Sequence, residues 1–155
     1  MSKAFTKEAD EPRTADLLPD RSVPGGPNLV TREGLAQIDR TITRLQIEQE
    51  NARGANNASE IAAIARDLRY WIARRATAQV VEPSAPSEMV EFGSTVTIRH
   101  PEGREKTYRI VGTDEANPAS GTLSHISPLA RALMGKTVGV VAKIGGRDAE
   151  ITAIR

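Results

Sequence analysis

His100 and His125 are the two imidazoles of the chain, and Ser124 and Ser127 flank the second of them. A catalytic nucleophile and its base must share a face and lie within hydrogen-bond reach. The run Thr122–Ile126 reads as a strand, in which neighbours point to opposite faces. Ser124, His125 and Ser127 therefore do not compose a nucleophile and base. The two histidines fall in different strands or turns with no further ligand at metal spacing, so both are expected to be ordinary strand or surface residues. Phosphate transfer has no support, because no Gly-rich loop ends in Gly-Lys-Ser or Gly-Lys-Thr. The absence of cysteine excludes disulfides, thiolate metal sites and cysteine nucleophiles. What remains is a binding protein: no enzyme, no catalytic residue, no bound metal and no cofactor of its own. The groups best suited to binding are Arg66, Arg69, Arg74 and Arg75, set in one helical stretch against Glu60 and Asp67. They form either a solvated helix face or a basic edge that meets phosphate or an acidic protein surface.

The rest of the composition narrows the partners. With 155 residues and a net charge of +1, the chain has room for one ordinary domain plus an accessory element and is not a globally basic nucleic-acid binder. Two Phe, two Tyr and one Trp are too few for an aromatic platform that stacks single-stranded bases. No apolar run approaches the length that spans a bilayer, and the first residues lack the apolar region of a signal peptide. The expectation is a cytoplasmic monomer with no membrane partner.

Two helices must carry the arginines. Leu35, Ile38, Ile42 and Leu45 recur at steps of three and four, as do Ile61, Ile64, Leu68 and Trp71, which places each set on one helical stripe. Thr31 reads as the first N-cap, with Glu33 in the first turn, and the helix is expected to run to about Asn51. The stretch Asn51–Asn57 contains no large apolar residue and offers Gly54 for a positive φ. Asn57 and Glu60 form a capping-box pattern opening a second helix that is expected to reach Gln79. Facing stripes across a tight turn give an antiparallel coiled-coil hairpin over residues 29–81. Residues 1–28, with Pro12, Pro19, Pro24, Pro27 and few large apolar groups, read as a disordered leader or a recruitment arm, with Leu17-Leu18 the pair that could dock.

Past a Pro/Ser linker at residues 82–87, β-branched runs predict a small sheet domain to residue 155. Thr95–Ile98 and Thr107–Val111 form a hairpin about Pro101-Glu102-Gly103, Asp114–Pro118 a loop, and Val138–Ile144 with Ala149–Ile154 a last hairpin about Gly145-Gly146. Between them Ser127-Pro128 opens one short helix, with Leu129, Leu133 and Met134 inward and Gly135 as the stop. The fold class is α+β.

Three runs in this region, Val90–Thr97, Tyr108–Ala116 and Ser127–Lys136, resemble the C-terminal domain of the bacterial GreA/GreB transcription elongation factors, in order and at family spacing. The resemblance implies an FKBP-like domain behind an antiparallel coiled coil, a factor that docks on RNA polymerase at its secondary channel, and contact with nucleic acid inside the elongation complex. It makes Asp114, Glu115, Ser127, Pro128, Leu129 and Ala130 candidate docking residues. It also implies a tip whose Asp and Glu, three residues apart and followed by Asn-Ala, help hold a second Mg²⁺ in the polymerase active site, as oxygen ligands suit that hard cation. Glu50-Asn51-Ala52 matches the end of that motif, but Ile47 stands where the partner acid belongs, and Glu48 is two residues from Glu50, a spacing that points elsewhere on a helix. The arms are also shorter than the family's by roughly two turns each, about 10 Å. The expected function is regulation of transcription elongation with weak or no stimulation of cleavage. Alternatives are a short-coiled-coil regulator of the nucleoside-diphosphate-kinase-regulator type and, from the fold alone, a peptidyl-prolyl isomerase.

Overall fold

The computed structural model describes residues 18–155, so the expected leader lies outside the described residues as far as Leu17. The chain divides into two compact units, one containing residues 18–23 with Arg40–Ala73, the other Pro24–Asp39 with Arg74–Arg155. The elements run β1 (Leu29–Val30), α1 (Arg32–Gly54), α2 (Ala58–Thr77), β2 (Gln79–Val80), β3 (Thr95–Arg99), β4 (Glu105–Val111), β5 (Thr122–Ser124), α3 (Pro128–Leu133), β6 (Val141–Ile144) and β7 (Arg147–Ile154). A 3-10 turn at Pro118–Ser120 precedes β5.

In the first unit the two helices form the hairpin that the stripes require. Leu45, Ala52, Ile64 and Leu68 are buried together, with Ile42, Ile61 and Trp71 packed against them. Each fully buried leucine or isoleucine contributes about 1.5–3 kcal/mol, so this core is small and the hairpin depends on its ends being well closed. The closure differs from expectation. α1 runs on to Gly54, and the left-handed residue is Asn56, with φ 54°, rather than the glycine. Asn57 N–H donates to Ala52 O at 3.1 Å and Asn56 N–H to Arg53 O at 3.1 Å, the paired bonds of a Schellman stop, in which Asn tolerates the left-handed position. Asn57 then caps α2, accepting from Glu60 N–H at 3.2 Å. Glu60 reaches back to the Asn57 side-chain amide, at 2.9 Å, rather than to its backbone N–H.

The second unit is built on a five-stranded sheet of order β5-β4-β3-β7-β6, antiparallel except for the parallel β4–β5 pair. Period-two burial puts Val96, Ile98, Ile110, Ala149 and Ile151 into one core, which Ala130 and Leu133 of α3 cover. Opposite this face, Thr97 and Thr107 meet across strands with their hydroxyls 2.9 Å apart. The β3–β7 register shifts between Thr97 and Ile98, and Thr152 in the bulge donates its hydroxyl to Thr97 O at 3.3 Å.

Several element ends move from their expected places. β5 stops at Ser124, because His125 and Ile126 turn the chain into α3, and β6 starts at Val141 rather than Val138. α2 ends at Thr77. Gln79 leaves the helix for β2, which pairs in parallel with β1. Gln79 N–H donates to Asn28 O at 2.9 Å and Val81 N–H to Val30 O at 3.0 Å.

Candidate functional site

The acids near the hairpin tip lie within α1 rather than at its apex. Glu48 accepts from Arg44 at 2.6 Å and Glu50 from Arg53 at 2.9 Å, so each carboxylate is matched by an arginine of its own helix. Two residues apart on a helix, they diverge by roughly 200°. Ile47 is exposed, Asn51 is exposed, and Ala52 is buried in the hairpin core. Among the described residues no three metal-ligating side chains cluster.

The four arginines do not form one edge. Arg69 pairs with Asp20 at 2.6 Å, Arg75 with Asp39 at 2.6 Å, and Arg66 lies 3.6 Å from Asp67 with its Nε buried and without a hydrogen-bond partner. Arg74 is buried, its side chain 4% exposed, and donates from Nε to Asp114 at 2.5 Å. It is therefore withdrawn from any basic surface.

That ion pair belongs to a polar cluster around β1, within the second unit. Asn28, although uncharged and in the segment expected to be a leader, is buried and donates to Arg74 O at 2.8 Å and to the Thr77 hydroxyl at 3.1 Å. Thr31 caps α1, accepting from Gly34 N–H at 2.9 Å, and gives both its own N–H, at 3.1 Å, and its hydroxyl, at 2.6 Å, to the Glu115 carboxylate. The backbone can come this close only because two glycines line the contact: a Cβ on Gly34 would stand 1.7 Å from a Glu115 oxygen, and one on Gly112 would stand 2.5 Å from Leu29 O. Glu33, in the first turn of α1, is held below the usual carboxylate pKa by its own backbone N–H, then by Thr31 and by Arg109.

Asp114 and Glu115 thus spend their carboxylates inside the unit. At α3, the Ser127 hydroxyl accepts from Ala130 N–H at 3.2 Å and Ala130 is wholly buried, while Pro128 is exposed and Leu129 half-buried. Of the six expected docking residues, Pro128 is exposed, Glu115, Ser127 and Leu129 are half-buried, and Asp114 and Ala130 offer little or no surface. His125 packs edge-on against Phe92, with ring centroids 5.5 Å apart. Burial first, then Arg131 and Arg74, hold its pKa below the ordinary histidine value. Ser124 lies against Thr113 at 3.3 Å and Ser127 is used as a cap, so neither is placed as a nucleophile. Three cavities of the second unit, of about 370, 300 and 280 Å³, have neither Phe92 nor Tyr108 in their walls.

The model of the C-terminal family described as transcription elongation factor, GreA/GreB, matches residues 85–155. The chain is 34% identical over 149 residues to transcription elongation factor GreA of Paracoccus denitrificans, covering 81% of this chain and 96% of that protein. It is 33% identical over 130 residues to transcription elongation factor GreB of Haemophilus influenzae, covering 72% and 82%. The solved GreA factor homolog 1 of Thermus thermophilus is 18% identical, with 84% of this chain and 99% of that one covered at a TM-score of 0.40. The chain belongs to the GreA/GreB family of transcription elongation factors. No helix among the described residues is long and apolar enough to cross a membrane.

Proposed function

We propose that this chain binds RNA polymerase at the secondary channel and regulates transcription elongation through its hairpin, with weak or no stimulation of transcript cleavage. Family membership supports the polymerase partner. One observation carries the second part: exposed Ile47 stands where a second acid would be needed, which leaves Glu50 as the lone carboxylate of the motif. A lone carboxylate is a poor ligand for a Mg²⁺ that must be held by two acids. Docking runs through Pro128 and Leu129 on the surface of the sheet domain, and Arg66 and Arg69 are the arginines of the hairpin that contact nucleic acid inside the elongation complex.

The deciding assay is cleavage of a backtracked elongation complex by the wild type, Glu48→Ala and Glu50→Ala. The expected result is a rate close to that of polymerase alone and indifferent to either substitution. Robust cleavage lost with Glu50→Ala would refute the reading, as would unchanged polymerase retention by Pro128→Arg in a low-salt pull-down. A second reading, a short-coiled-coil regulator of the nucleoside-diphosphate-kinase-regulator type, is favoured by helices of only 23 and 20 residues. It predicts polymerase binding with no change in elongation through pause sites.

A further inference from the structure

The segment just ahead of β1 makes contacts that neither the hairpin core nor the family reading requires. In the first unit Asp20 accepts from Arg69 at 2.6 Å, and Arg21 donates to Asp67 at 3.4 Å. The two pairs have opposite polarity, which fixes the segment in one register on α2. Arg21 also lies over the Tyr70 ring, 4.0 Å from its centroid, and 5.8 Å from that of Trp71. Tyr70 and Trp71 meet edge to face at 5.2 Å, and Tyr70 is buried although it lies off the stripe that faces α1. Something other than α1 therefore covers this second face of α2, and residues 18–23 are placed there. Pro19 and Pro24 bracket the contact and lower the entropy lost when the segment docks.

We propose that residues 18–23 are a releasable strap, closing over the Tyr70–Trp71 face of α2 and occupying a site that takes a guanidinium group between the aromatic pair and Asp67. The charges make the strap reversible. Arg21 and Asp67 are each about one-third exposed, at 38% and 33% of the side chain, and Arg69 and Asp20 more so, at 51% and 71%. Exposed pairs of this kind are weak and are screened once the Debye length falls to about 3 Å near 1 M salt. Release would uncover the Tyr70 ring, edge to face with Trp71 and flanked by one acid and one base, so the strap withholds a recognition surface on α2 while it is docked. This inference does not depend on the polymerase reading.

Trp71 is the chain's only tryptophan and lies against both the hairpin core and Arg21, so at unchanged helix content its emission reads the strap. The test compares acrylamide quenching and the emission maximum for the full chain, Arg21→Ala, Asp20→Arg, and the swapped pair Asp20→Arg with Arg69→Asp, at low and high salt. Helix content by circular dichroism serves as the control for folding. The expected result is a red shift and a higher quenching constant in Arg21→Ala and Asp20→Arg at low salt, in the wild type at high salt, and a return toward the wild type in the swapped pair. Unchanged Trp71 emission and quenching in both single variants would overturn the strap. So would failure of the swapped pair to restore protection while helix content is retained.

Discussion

Replacing Asp114 by alanine leaves the Arg74 guanidinium buried without its charge partner. The two side chains are 4% and 10% exposed and 2.5 Å apart, so solvent screens little of the loss. Removing one member of such a pair costs about 3–5 kcal/mol, mostly because the remaining charge stays desolvated, and not because the pair itself is worth that much. Deleting both charges should therefore cost far less than deleting one: Arg74→Met with Asp114→Ala is expected within about 1–2 kcal/mol of the wild type, since an apolar side chain of similar length refills the space. The assay is a double-mutant cycle by urea denaturation, with sheet-domain unfolding followed by circular dichroism. If Asp114→Ala shifts stability by less than about 1 kcal/mol, or if the double variant is as unstable as the two single losses summed, the buried-pair argument is wrong. The outcome also bears on function. Asp114→Ala would impair polymerase binding by unfolding the unit, so a binding defect in that variant is no evidence of direct contact.

Gly112→Ala drives a Cβ to 2.5 Å from the backbone oxygen of Leu29, which belongs to β1 and cannot swing aside as a side chain would. A loss of about 1–3 kcal/mol is expected, whereas Gly54→Ala, with nothing within 4 Å of the new Cβ, should gain about 0.5–1 kcal/mol. Thermal denaturation of the pair checks both signs, and equal midpoints would refute the close approach. For His125 the folded pKa is lowered, so on acidification the unfolded chain takes up the proton first. Its contribution is complete above the unfolded value of about 6.5 and is lost as pH falls toward the folded value. Urea midpoints at pH 7.5 and 5.5 should fall more for the wild type than for His125→Gln. Parallel slopes would refute the assignment.

What could be read from the sequence was mostly local. The stripes of both helices, the caps at Thr31, Asn57 and Ser127, and the alternation in β3 depend on residues within one or two turns of each other, and each formed where the spacing put it. The four arginines illustrate the other case. Nothing in the pattern around Arg74 separates it from Arg75, yet one is buried against an acid 40 positions away and the other is exposed. The β1–β2 pair was illegible because two-residue strands carry no period, and its partner lies 50 positions along the chain. At the turn, Gly54 was the obvious residue for a positive φ. Asn56 takes it because the register of the Schellman bonds, set by where Ala52 packs in the core, places the left-handed residue two positions later. The arginines that pair with Glu48 and Glu50 show only once side chains are in place.

The Thr31–Glu115 contact sets an order on folding as well as a geometry. The first turn of α1 is closed by a threonine whose hydroxyl and amide are both held by a carboxylate 84 positions further on. During synthesis the opening of the helix emerges long before Glu115, and the β1 strand ahead of it has no partner until Gln79 appears. The base of the hairpin therefore reaches its final state late, when the turn after β4 arrives to receive it, while the distal turns, whose contacts are near in sequence, can form early.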